Sequence, residues 1–127
     1  MRTHASFRGD FPKDHEFNDP AGRPLAELVA QHLARFGFVV SNHDSTEYSH
    51  TFLVTADKRR FQLTVGLVDD GDREWLLLVE STLIPVARWF GWRDRNEHLK
   101  TLSAVHQCLH AEARISALRW YTASEWN

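Results

Sequence analysis

Three short apolar runs in residues 48–80, separated by charged turns, constrain the fold of this chain more than any other feature. Each run has the length of a β-strand, and the connections between them contain the Asp and Gly residues that turns favour. In the middle run, apolar side chains alternate with small or polar ones at Phe61, Leu63, Val65 and Leu67. Successive side chains of a strand point to opposite faces, so this run has one apolar face. The pattern predicts an antiparallel meander.

The last run of this meander, residues 75–79, is apolar on both of its faces. Its odd-numbered residues share one face, whereas Leu76 and Leu78 share the other. In the first run, Leu53 lies on the face opposite Phe52 and Val54. We call the side that carries Leu53, Leu76 and Leu78 the second face of the sheet. Because apolar surface needs cover on both sides, we expect an end of the chain or another molecule to lie over the second face.

The N-terminal 23 residues sustain neither a helical nor a strand period, because charged residues, prolines and glycines interrupt them. We therefore predict an irregular arm over residues 1–23. Its phenylalanines Phe7, Phe11 and Phe17 are too apolar for a free tail. We expect them to lie over the core of the domain or over the second face, and an arm that binds a partner is the alternative.

The segments on either side of the meander predict two helices and two further strands. Residues 24–36 carry apolar residues at helical spacing after Pro24, which suits a first helical turn. Gly37 suits a left-handed helix cap, with Phe38 placed for the apolar contact that accompanies it, and residues 38–40 form a short strand. A second helix runs from the capping pair Asp94 and Glu97 to about residue 112. Residues 115–122 have the branched and aromatic character of a last strand.

The predicted order of elements is α-β-β-β-β-α-β, with about five strands and two helices in a single domain over residues 1–127. We expect an α+β two-layer sandwich in which both helices lie on one face of a mostly antiparallel sheet. A helix separates the last strand from the meander. We therefore expect that strand to return to an edge of the sheet, beside residues 38–40.

Composition argues against several classes of function. A formal net charge of −2 over 127 residues provides no basic surface for phosphates, so nucleic acid is not an expected partner. The single cysteine, Cys108, fits a reducing compartment, and its place in the middle of a predicted helix favours a buried, inert thiol. Residues 1–10 lack the apolar core of a secretory signal, and no apolar run is long enough to span a bilayer. We expect a cytoplasmic protein without a membrane partner.

Eight histidines raise the question of metal binding or acid–base catalysis. His106 and His110 lie four residues apart in the second predicted helix, a spacing at which two imidazoles can share a metal ion. However, Gln107 stands where a metalloprotease helix has its catalytic glutamate, and no phosphate loop or nucleophile motif is present. We interpret the pair as the polar edge of an amphipathic helix and predict no cofactor, keeping His106 and His110 as weak metal candidates. The sheet can also bring Glu80 near His50 or near the aspartates of residues 69–72.

A segment rich in tryptophan and arginine precedes the second helix. Its residues Arg88, Trp89, Trp92 and Arg93 are of the types that supply anchors in protein interfaces, because they bury a large area and keep a polar handle. Pro85 and Gly91 favour a protruding connection. Tryptophans that fill a corner of the core are the equally weighted alternative.

We therefore predict a non-enzymatic protein-binding domain of bacterial type, such as an immunity or antitoxin-like inhibitor, an adaptor or a secretion chaperone. One alternative is a small enzyme, or a metal- or ligand-binding protein, that uses the histidines. Another is a self-associating structural module, for which a homodimer is the simplest form.

Overall fold

The computed structural model describes residues 1–12, 21–46, 48–57, 59–69, 71, 73–82 and 92–126, with the backbone alone at residues 69 and 92–94. The strands are β1 (His4–Gly9), β2 (Val39–Ser45), β3 (Ser49–Ala56), β4 (Arg59–Asp69), β5 (Glu74–Ser81) and β6 (Ile115–Tyr121). The helices are α1 (Arg23–Arg35), α2 (Trp92–Ala111) and α3 (Ala123–Trp126). Over these described ranges the protein is α+β, with a six-stranded antiparallel sheet and three helices.

Strands β3 to β5 form the predicted meander, and β2, predicted only over residues 38–40, extends to Ser45 and joins them beside β3. Their order in the sheet follows their order in the sequence, and each pairs with the next in antiparallel register. Ala56 pairs with Arg59, so a two-residue turn joins β3 to β4, and Asp57 adopts the positive φ, 47°, that such tight turns require. Strands β3 and β4 therefore form a hairpin, as do β4 and β5, which pair up to Asp69 and Glu74.

The prediction of an irregular arm over residues 1–23 is wrong at its start, because residues 4–9 form β1. This strand lies inside the sheet, between β5 and β6. Ala5, Phe7 and Gly9 are buried, whereas His4 and Arg8 are not. Ser6 is buried as well, so three of the four buried residues of this strand are Ala, Ser and Gly. These residues contribute little apolar surface, so the pattern resembles a loop.

The last strand lies at the edge opposite the predicted one, and the sheet has six strands rather than five. The order is β2-β3-β4-β5-β1-β6, so β6 and β2 are the two edges and never meet. Both β5 and β6 run antiparallel to β1 and are thus parallel to each other, with α2 as the crossover between them. Because β1 pairs with β5, the free side of β1 is the next edge of the sheet, and β6 pairs there.

One core lies between α1, α2 and the face of the sheet that is opposite the second face. Its members include Val54, Leu63, Val65, Leu77 and Val79 from the strands, Leu25, Val29 and Leu33 from α1, and Val105 and Leu109 from α2. The predicted cap of α1 is confirmed: Gly37 has φ 91°, and the Phe38 amide donates to the Leu33 carbonyl at 3.1 Å. The His98 Nε2–H donates to the Val79 carbonyl at 2.8 Å, which joins α2 to β5.

The phenylalanines near the N-terminus belong to this core and do not cover the second face. Phe7 lies opposite Trp75 across the β1–β5 pair, and both side chains are buried. Phe11 meets Trp75 edge to face, with ring centroids 6.1 Å apart, and the Trp75 Nε1–H donates to the Gly9 carbonyl at 3.0 Å. Of the two positions expected for these residues, the core is therefore confirmed for Phe7 and Phe11. Phe17 lies outside the described residues.

Candidate functional site

Leu53, Leu76 and Leu78 lie on the second face, away from α1 and α2, and are half-buried there. Leu76 and Leu78 are neighbours on β5, and the residues directly opposite them are small or polar: Gly66 and Ser6 for Leu76, Thr64 and His4 for Leu78. Leu53 is on β3, opposite Gln62. Strand β4 separates it from the other two by about 10 Å, two inter-strand spacings. The apolar centre of the second face is therefore the Leu76–Leu78 pair.

The C-terminal helix α3 reaches one end of the second face. The Trp126 ring lies 5.5 Å from the Tyr121 ring and 6.4 Å from the His4 ring, measured between centroids. Tyr121 pairs with His4, and His4 pairs with Leu78. The two longer helices pack on the other side of the sheet. Among the elements that the structure describes, α3 alone therefore lies over the second face, where it contacts His4 and Tyr121.

A polar groove with a volume of about 280 Å³ borders this apolar centre. Its lining residues come from β1, β5 and β6: Ser6, Phe7, Arg8, Glu74, Ala117, Arg119 and Tyr121. Ser6 lies directly opposite Arg119 in the β1–β6 pair and is buried. The groove combines two guanidinium groups with hydroxyls, a combination that suits a carboxylate or another anion.

The two arginines of this groove have no carboxylate partner in the described parts of the chain. Arg8 and Glu74 are directly opposite each other, yet they form no ion pair, and Arg119 forms none either. Neighbouring cations on one face repel each other unless an anion lies between them. The lining of the groove therefore carries two arginines and one glutamate, which is a net positive charge.

Both edge strands of the sheet carry a bulge. The register shifts between Ser41 and Asp44 in β2, where Asn42 has φ 55°, and again in the pairing of β6, where Ala117 has φ 54°. Such bulges bend an edge and interrupt its row of free backbone groups, which hinders the addition of a further strand. The bulges therefore disfavour extension of the sheet at either edge.

The tryptophan and arginine segment cannot be placed in this surface. Arg88 and Trp89 lie outside the described residues, and Trp92 and Arg93 are described only as backbone in the first turn of α2. Their role as partner-binding anchors stays a prediction. Helix α2 begins two residues before Asp94, so Asp94 lies in its first turn and not at its N-cap.

His106 and His110 lie together on the exposed side of α2, with nearly parallel rings 5.6 Å apart. The Trp120 indole N–H donates to His106 Nδ1 at 3.1 Å. An indole nitrogen only donates, so the Nδ1 lone pair of a neutral His106 is used and its Nε2 carries the proton. This tautomer offers no lone pair to a metal. The geometry supports the interpretation of these histidines as a polar helix edge.

Glu80 and His50 do not come together, and the aspartate side chains of residues 69–72 lie outside the described part of the chain. Glu80 lies on the second face opposite Gln62, whereas His50 is buried on the helix side opposite Val65. Cys108 is buried, and desolvation, with a smaller contribution from the Glu112 charge, raises the pKa of its thiol to about 11. Across the described ranges, no group of three or more His, Cys, Asp and Glu residues is placed to hold a metal ion.

Searches for similar proteins find no matching family model, no matching curated protein and no matching solved structure. Of the helices that the structure describes, none combines the length and the apolar character needed to cross a membrane.

Proposed function

We propose that this chain is a non-enzymatic protein-binding domain that acts in the cytoplasm, of the kind found among small bacterial immunity or antitoxin-like inhibitors, adaptors and secretion chaperones. In this proposal the fold is a two-layer sandwich whose helices cover one face, while the second face receives the partner. One observation carries it: Leu76 and Leu78 lie on the face opposite α1 and α2, beside Arg8 and Arg119, which form no ion pair with any residue that the structure describes.

The arrangement defines the chemistry of the partner. When a partner covers an apolar centre, apolar surface of both molecules is removed from water. Charged groups at the border of that centre select and orient the partner. Arg8 and Arg119 both lie on the β1 and β6 side of the leucines. The partner surface should therefore present aliphatic or aromatic side chains, with one or two carboxylates on one side of them.

The Arg88, Trp89, Trp92 and Arg93 segment is proposed as a second contact region. It leads from the end of β5 into α2 and contains the residue types that dominate interface energies. Truncating an interface anchor weakens binding by about 2 kcal/mol or more, whereas truncating a core tryptophan costs about 3–5 kcal/mol of stability. Melting and partner binding of Trp89→Ala and Trp92→Ala therefore distinguish an anchor from a core residue.

The test of the proposal is co-purification from the cells that produce the protein, with matched pairs of variants. Leu76→Gln and Arg119→Glu alter the second face. Leu99→Gln and Arg95→Glu make the same changes at exposed positions on α2, beside a mostly apolar groove that β6 also lines. All four variants are first checked by thermal melting against the parent.

We expect one defined protein to co-purify with the parent and with both α2 variants, and to be lost from both second-face variants. If the co-purified protein is lost from the α2 variants alone, the interface lies at the groove beside α2, and the proposal is contradicted. The self-associating module would instead be identified by the mass in solution. The mass of the parent would double as its concentration rises, whereas Leu76→Gln would keep the mass of one chain.

A further inference from the structure

The bulge in β2 changes the direction of one histidine. Ser41 pairs with Leu53 and Asp44 pairs with Thr51, so two residues, Asn42 and His43, stand opposite Phe52 alone. Asn42 has φ 55°, a left-handed conformation that asparagine tolerates better than most residues. A bulge of this kind redirects the side chain beside it. The His43 ring consequently lies 6.4 Å from the Phe52 ring, on the helix side of the sheet.

This redirection brings two imidazoles together at the border of the core. His43 Nε2 lies 3.2 Å from His50 Nδ1, with ring centroids 5.3 Å apart and ring planes at 74°. His50 is fully buried, whereas His43 is exposed. The pair therefore has one fixed imidazole held by the core and one imidazole at the solvent boundary.

The separation of these two nitrogens is that of two ligands on one metal ion. Zinc binds histidine nitrogen at about 2.0–2.1 Å with tetrahedral angles, which places two ligand nitrogens about 3.3–3.4 Å apart. We propose that His43 Nε2 and His50 Nδ1 bind a divalent transition metal of the kind that imidazole prefers, such as Zn²⁺ or Cu²⁺. Solvent, or a group from a partner, completes the coordination on the His43 side.

A hydrogen bond between the two rings has a similar length, so the geometry of the bulge is the observation that favours the metal. The break in the β2–β3 ladder leaves one residue of β2 without a partner in the ladder, and Asn42 tolerates the left-handed conformation that the bulge requires. This bulge brings His43 to His50. The other histidine pair differs, because Trp120 donates to His106 Nδ1 and the rings of His106 and His110 are stacked instead of converging.

The experiment is a titration of the metal-free, tag-free chain with Zn²⁺ by calorimetry and with Cu²⁺ by electron paramagnetic resonance. His43→Ala removes the exposed ligand. His43→Gln places an amide N–H near the position of Nε2, so it can retain the hydrogen bond to His50 while it loses the metal ligand. His106→Ala combined with His110→Ala is the matched control at the other pair. Circular dichroism verifies the fold of each variant.

We expect one equivalent of metal to bind to the parent and to the α2 control, with hyperfine structure from two nitrogens. Both His43 variants should bind at least tenfold more weakly. Retention of full affinity by a folded His43→Gln would overturn the proposal, as would loss of binding in the α2 control or the lack of saturable binding by the parent. Because the metal itself is the probe, these outcomes do not depend on the protein-binding proposal.

Discussion

Trp75 is the residue around which the end of the core is arranged. It is fully buried, and its indole N–H donates to the Gly9 carbonyl. The Phe11 ring lies at a right angle to the indole ring. Gly22, just before α1, also lies against the Trp75 ring. The sequence predicts that Trp75 faces away from Leu76 and Leu78, because neighbouring side chains of a strand point to opposite faces. It does not predict that Gly22 must leave room for the indole, since that depends on contacts between distant segments.

Alanine at Gly22 should destabilise the protein more than alanine at Gly37. Gly22 has φ 110°, and an added Cβ would lie 3.0 Å from the Trp75 ring, whereas Gly37 has φ 91° with no neighbour within 4 Å of that position. Strain alone costs about 1 kcal/mol at Gly37, and strain with overpacking costs about 2–4 kcal/mol at Gly22. Urea denaturation of both variants measures the difference. Equal losses would show that the Trp75 contact is unimportant.

The Cys108 thiol should react slowly with iodoacetamide in the folded protein. With a pKa raised to about 11 by burial, the thiolate, which is the reactive form, makes up only about a thousandth of the thiol at pH 8. The alkylation rate should rise about tenfold per pH unit between pH 8 and 10. In urea the same residue should react quickly. Fast labelling of the folded chain near neutral pH would contradict a buried, inert thiol.

At the scale of elements, the sequence predicts the strands and helices with strong periods and misses the one whose period is masked by small residues. The meander, α1 and α2 follow from apolar spacing, and the cap at Gly37 follows from turn chemistry. Strand β1 is missed because Ala5 and Gly9 lie at its buried positions. The partner of β6 is missed for the same reason, since β6 pairs with β1. Which strand fills a place in a sheet is decided by segments far apart in the sequence.

Deleting residues 1–10 should prevent folding. The deletion removes Phe7 from the core and leaves β6 without its partner strand. Loss of one buried phenylalanine side chain costs about 3–5 kcal/mol, a large share of the roughly 5–15 kcal/mol of a typical domain. Deleting residues 123–127 is the control, because α3 has no buried residue. Far-UV circular dichroism compares the two. If the chain without residues 1–10 melts like the parent, the place of β1 inside the sheet is contradicted.

At the scale of the whole molecule, the candidate site is partly predictable from the sequence. The apolar second face follows from Leu53, Leu76 and Leu78, because a strand that is apolar on both sides needs cover on both. The groove with Arg8 and Arg119 does not follow, since it requires β1 and β6 to be neighbours. The meeting of His43 with His50 depends on a bulge, and a one-residue insertion in a ladder has no clear sequence signal.

The fold should not depend on a metal. The core contains residues from both long helices and the sheet, and a chain of this size removes about two thirds of its unfolded surface from water. The proposed metal position lies at the border of this core, on β2 and β3. Thermal melting with and without a strong chelator should therefore agree within a few degrees. If the chelator lowers the melting temperature by many degrees, a bound metal contributes to the stability of the fold. His106 and His110 would then again be candidate ligands.

Photo-crosslinking inside the producing cells tests most directly whether the second face is the partner-binding surface. A photoreactive phenylalanine derivative replaces Leu76 in one variant and Leu99 in a matched variant, so that each face reports its own neighbours. We predict a discrete crosslinked product with another protein from position 76 and none from position 99. A product from position 99 alone, or crosslinks from position 76 only within the same chain, would contradict the assignment of the second face.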